Sequence, residues 1–170
     1  MLSPLFAQPI FTQENAFIRE YLERLENSRK YLILIAESMP ENNYDFKATP
    51  ESMSFAENLM HIGWAMDWHS QSLLGEREAR DWNADMELKV DNKSKQEMID
   101  KIDETFYKTI EFISNFDINR LDEKLDYFGS DRTKRQILLL LADHITHHRA
   151  QMLVYMRLTG LKPPRYVLYQ

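Results

Sequence analysis

At three points in this chain a serine or threonine, followed three residues later by glutamate or glutamine, opens an apolar repeat of helical period: Ser54 with Glu57, Ser94 with Glu97, and Thr133 with Gln136. In such a box the hydroxyl accepts from a first-turn backbone N–H while the longer side chain reaches back to the N–H of the capping residue. Three helix starts are therefore set locally. From Ser54 the pattern Leu59, Ile62, Met66, Leu73 runs to Leu74, with Gly75 placed to end it. From Ser94, Met98, Ile102, Phe106, Ile110 and Ile113 carry a helix to about residue 115. From Thr133, Ile137, Leu140, Leu141, Ile145, Leu153 and Met156 carry the last one to Thr159, where Gly160 stops it and Pro163-Pro164 prevents resumption.

A fourth repeat comes first. Phe17, Tyr21, Leu25, Leu32 and Ile35 recur at three-, four- and seven-residue intervals over residues 12–38, ahead of Pro40 and a polar turn. With 4 Gly and 6 Pro in 170 residues, little of the chain is suited to the many turns of a β protein. The fold class is all-α, a four-helix bundle in one domain. The stretch 76–92 is charged and weakly periodic, a connection of about 17 residues. Extended, it spans more than about 55 Å, while helix 2 is about 30 Å long. It therefore has the reach to return along the bundle as a long crossover and set helices 2 and 3 parallel. Residues 117–132 read as a turn-rich interval.

The net charge of -6 argues against a nucleic-acid partner, since binding phosphates requires clustered cations. The small group Arg132, Lys134 and Arg135 is expected to be a solvated helix start. With 0 Cys, neither a disulfide, a thiolate ligand nor a protein thiol nucleophile is available. No apolar run approaches the 18 or more residues of a membrane span. Residues 1–11 lack the basic start and long apolar core of a secretory leader, so they read as an N-terminal arm on a cytoplasmic protein. The tail, residues 161–170, ends in Tyr166-Val167-Leu168-Tyr169, which we expect to pack against the bundle.

Chemistry concentrates in Asp143-His144-Ile145-Thr146-His147-His148-Arg149-Ala150-Gln151. Residues four apart on a helix differ by about 40° and one turn, so His144 and His148 can face one ion. By itself the pair is equally consistent with two ordinary helix histidines. A third imidazole, His61, lies near the middle of helix 2 and would complete a site if helices 2 and 4 are neighbours. Three imidazoles leave a position open for water or substrate. His147, rotated about 100° from His148, is expected outside the ligand set, as a proton shuttle acting through water. Gln151 and Tyr155 return toward the same face and are expected to line the pocket or orient a ligand. His69 lies about 80° round and about 12 Å along from His61, too far for a ligand. Trp64 and Trp68 are read as core.

The stretch Met53-Ser54-Phe55-Ala56-Glu57-Asn58-Leu59-Met60-His61-Ile62, the histidine segment, and Leu158-Thr159-Gly160-Leu161-Lys162-Pro163-Pro164 together resemble the DinB/YfiT-type metalloprotein family, over about residues 11–164. One departure is Ala150, where the family often has Gly. The resemblance implies an up-down-down-up bundle and a divalent metal (Zn, Ni or Mn) on His61, His144 and His148. It also implies a small-molecule substrate and an external thiol: bacillithiol, mycothiol or glutathione. The expected activity is metal-dependent thiol S-transfer. A metal-dependent hydrolase and a non-catalytic metal- or ligand-binding stress protein, assembled as a homodimer, are the competing expectations.

Overall fold

The computed structural model describes residues 15–81, 83 and 85–166; the expected N-terminal arm and the last four tail residues lie outside them. Four helices make up the bundle: α1 (Ala16–Ser38), α2 (Phe55–Asp67), α3 (Lys95–Ser114) and α4 (Lys134–Leu158). Each of the three sequence boxes closes as expected, with both reciprocal hydrogen bonds formed at Ser54, Ser94 and Thr133. The cap of α1 is Asn15, whose side chain accepts from the N–H groups of Phe17 and Ile18.

Side-chain contacts give the direction of every helix. Arg29 meets Asp103 at 2.5 Å, and Lys95 Nζ donates to the carbonyls of Glu37 and Met39 at 2.7 Å each, so α1 and α3 are antiparallel. Tyr155 reaches the Met53 carbonyl at 2.9 Å and His148 reaches Asn58 at 2.8 Å, which makes α2 and α4 antiparallel. Tyr21 donates to the Leu138 carbonyl at 2.8 Å, and the Arg149 guanidinium lies 5.3 Å from the centre of the Tyr31 ring, so α1 and α4 are parallel. The bundle is up-down-down-up. Leu32, Ile35, Phe55, Leu59, Ile62, Ile102, Phe106, Ile137 and Leu141 fill its centre.

Beyond Asp67 the second helix continues as a π turn, Trp68–Leu74. In π geometry N–H groups reach the carbonyl five residues back. The carbonyls four back then take side-chain donors: Ala65 accepts from His69 and Met66 from the Ser70 hydroxyl, both at 2.7 Å. Gly75 follows at φ -91, and the left-handed residue is Glu76 at φ 59. Gly75 is needed instead for space, because a Cβ there would lie 2.7 Å from the Gln71 carbonyl oxygen.

Residues 117–132 hold more order than their composition suggests. A two-stranded antiparallel hairpin, β1 (Lys124–Tyr127) and β2 (Ser130–Thr133), turns through Phe128 and Gly129, both at positive φ. Phe-Gly is an uncommon pair for such a turn, which is why the hairpin carries little sequence signal. The hairpin also corrects the expectation for Lys134. Instead of being solvated, this side chain is buried, pairing with Glu123 at 2.8 Å over the Phe116 ring.

The crossover from α2 to α3 is anchored by Arg80, which bonds Asp67 at 3.0 Å, Asp85 at 3.2 Å and Glu87 at 3.1 Å. It brings Leu88 against Gly63 of α2, where an added Cβ would lie 3.2 Å from Leu88 Cδ2 and 2.6 Å from Ile102 Cδ1 of α3. Helix and crossover both depend on that small residue. Gly63→Val should destabilise the protein by about 1–3 kcal/mol through overpacking, read as a lower urea midpoint at unchanged m-value.

Candidate metal centre

The antiparallel packing of α2 on α4 brings His61, His144 and His148 together. Ring centres are 5.0 Å apart for His61 and His144, 4.6 Å for His61 and His148, and 4.5 Å for His144 and His148. One ligand nitrogen from each lies within 4.8 Å of the others; among the described residues this is the one group of three or more His, Asp or Glu side chains that converges in this way. A tetrahedral ion with bonds of about 2.1 Å needs nitrogens about 3.4 Å apart, a gap that small side-chain rotations close.

The chemistry of the donor set also fits a divalent ion. His144 Nε2 is buried with no hydrogen-bond partner among the described residues, a position a metal would satisfy. Burial lowers the pKa of all three imidazoles. His144 falls to about 3, helped by the neighbouring histidines; His148 falls to about 4 through burial with His61 and His147 nearby; His61 is lowered by burial alone. All three are neutral at pH 7, the form that ligates.

Around the cluster the side chains divide clearly. Asn58, which sequence reasoning passed over, is one turn before His61 and holds His148 Nδ1 at 2.8 Å. Its sequence signal was an amide set among the apolar residues of an early helical turn. His69 is buried; its Nδ1 donates to Ala65 and its Nε2 accepts from Tyr127 of the hairpin at 3.1 Å. His147 is exposed and accepts at Nε2 from the Gln151 amide at 2.8 Å, so Gln151 touches His147 instead of a ring of the cluster. Tyr155 is buried, its ring edge-on to Phe46 and its hydroxyl on the Met53 carbonyl.

Trp64 packs against the core, as expected, and Trp68 follows it at the core's edge. Only partly buried, they extend a stack from the His61 ring, with centres 5.9 Å and then 5.8 Å apart, and Phe128 of the hairpin adds to it at 5.5 Å from Trp68. Phe128 is itself 79% exposed. On the other side of His61 a cleft of about 670 Å³ runs between residues 45–57 and the crossover. Met53, Met60, Leu88 and Val90 give it apolar walls, and Asp45, Lys47, Glu51, Lys89 and Asp91 carry its charge.

The family model of the DinB superfamily matches residues 24–152. The chain belongs to the DinB superfamily. Solved structures share the DinB fold at low identity. A DinB-like protein from Bacillus subtilis is 20% identical with a TM-score of 0.67, covering 89% of this chain and 97% of its own. One from Bacillus cereus ATCC 10987 is 22% identical with a TM-score of 0.67, covering 89% and 95%. A conserved protein from Enterococcus faecalis is 17% identical at a TM-score of 0.67, covering 82% and 95%. No curated protein matches the chain.

The buried imidazoles of this DinB protein make its metal-free stability depend on pH. With folded values of about 3 for His144 and about 4 for His148 and His69, the unfolded chain, near 6.5, binds protons that the folded one refuses. Stability is therefore unaffected by these groups above about pH 6.5 and falls as pH drops toward 4. Urea midpoints of chelator-treated protein should decline between pH 7 and 5, where carboxylates are still ionised, and His144→Gln should flatten the decline.

Proposed function

We propose that this chain is a metal-dependent thiol S-transferase, in which His61, His144 and His148 hold a divalent ion and a low-molecular-weight thiol supplies the nucleophile. The observation that carries this reading is the convergence of three neutral imidazoles beside an apolar-walled cleft. A divalent ion held there would supply Lewis acidity, lowering the pKa of an incoming thiol. Zinc, nickel and manganese all suit the imidazole set to differing degrees. The chain contains 0 Cys, so the sulfur must come from solution, with bacillithiol, mycothiol or glutathione as the forms it would take.

Two titratable groups near the imidazoles are committed to structural partners. His69 has both ring nitrogens engaged, and the Glu57 carboxylate closes a helix cap and pairs with Lys47 at 3.0 Å. His147 is exposed and bonded to Gln151. Hydrolysis of an ester or amide calls for a group that can hand a proton to the leaving atom, whereas in thiol transfer the sulfur would lose its proton to water and bond to carbon as the bond to a stable anion such as halide breaks, and that anion needs no proton. The cleft walls suit a small substrate with an apolar part.

Tag-free protein should contain about one divalent ion per chain by elemental analysis, and His144→Ala should lose it. The wild type should conjugate a model electrophile with at least one of the three thiols, and His144→Ala should fall to background. Ester turnover without thiol would replace this reading by a hydrolase, and bound metal with neither activity by a binding protein.

A further inference from the structure

Asn58 is fully buried, with 0% of its surface exposed, on the same face of α2 as His61 and one turn before it. Its amide can point only one way. Both Nδ2 hydrogens are used, one on the Ser54 carbonyl at 2.8 Å and one on the Met53 carbonyl at 3.2 Å. Flipping the amide would set Oδ1 against two carbonyl oxygens and break both hydrogen bonds. The end that faces His148 Nδ1 at 2.8 Å is therefore the oxygen, which can only accept. The proton of that hydrogen bond belongs to His148 Nδ1, and a neutral ring protonated there carries its lone pair on Nε2.

We infer that Asn58 is a positioning residue for the metal centre: it fixes the His148 tautomer and ring orientation so that Nε2 is presented to the ion shared with His61 and His144. The free histidine side chain favours the opposite tautomer, with the proton on Nε2. Without Asn58 the ring would rotate and place a proton where the ligand lone pair is needed. Met53 and Ser54, which anchor the amide, also line the cleft beside His61, so one short segment shapes the cleft and indexes a ligand ring. Partners of this kind typically govern metal affinity by about 10- to 100-fold.

This inference rests on the metal-dependent reading, and two measurements separate their failures. In metal-free wild type, long-range proton–nitrogen correlation spectra should show His148 protonated at Nδ1, and Asn58→Leu, close in volume but without an acceptor, should shift it toward Nε2. Zinc affinity by chelator competition should fall about 10- to 100-fold in Asn58→Leu. Asn58→Asp, which keeps an acceptor for His148 but loses both donors to the Ser54 and Met53 carbonyls, should retain the Nδ1 proton. Equal zinc affinity in wild type and Asn58→Leu, or a His148 proton on Nε2 in the wild type, overturns the inference alone. A wild type that binds no zinc overturns it together with the metal-dependent reading. If Asn58→Leu does not fold, as judged by circular dichroism, the wild-type tautomer decides: a proton on Nδ1 upholds the inference and one on Nε2 overturns it.

Discussion

The antiparallel seam between α2 and α4 is the contact on which the site depends. It is joined from the Met53 carbonyl, which takes the Tyr155 hydroxyl, through Asn58 and His148, to the meeting of His61 with His144. Three imidazoles are held close together in surroundings that lower their proton affinity, and that is costly in acid. A bundle with an apolar seam at these positions would avoid the cost. Retaining neutral, convergent nitrogens in a helix interface is the arrangement expected of a ligand set, which a core chosen for stability alone would not need.

The rest of the molecule supports that seam from both sides. The crossover, pinned by Arg80 to Asp67, Asp85 and Glu87, presses Leu88 onto Gly63 and forms one wall of the cleft. The hairpin places Tyr127 on His69 and Phe128 on Trp68 at the other end. The π turn contributes as well, since it leaves the Ala65 carbonyl to accept the His69 imidazole. Each of these segments connects helices, yet each also bounds the site.

Helix starts at Ser54, Ser94 and Thr133 were legible because a capping box is a local device whose partners lie within one turn. The spacing of His144 and His148 was legible for the same reason. Asn15 as a cap, the Phe128-Gly129 turn and the burial of Lys134 were missed. The first lacks the reciprocal glutamate, the second uses an aromatic where asparagine is usual, and the third depends on Glu123 folding back through the hairpin. The spacing of Trp64 and Trp68 marks an apolar helix face and places Trp64 against the core, but it does not show that the two rings extend a stack from His61.

Four helices, three of their starts, a crossover long enough to make two of them parallel, and a histidine pair on one helix face can all be read from the amino-acid order. These follow from interactions spanning a few residues, whose energies do not depend on the remainder of the chain. That His61 meets that pair, that Asn58 faces His148 across 90 residues of sequence, and that Gln151 reaches His147 instead all depend on how the helices pack. Hydrogen-bond direction and the angle at which two helices meet are set by packing across the bundle, and helical period carries no information about either.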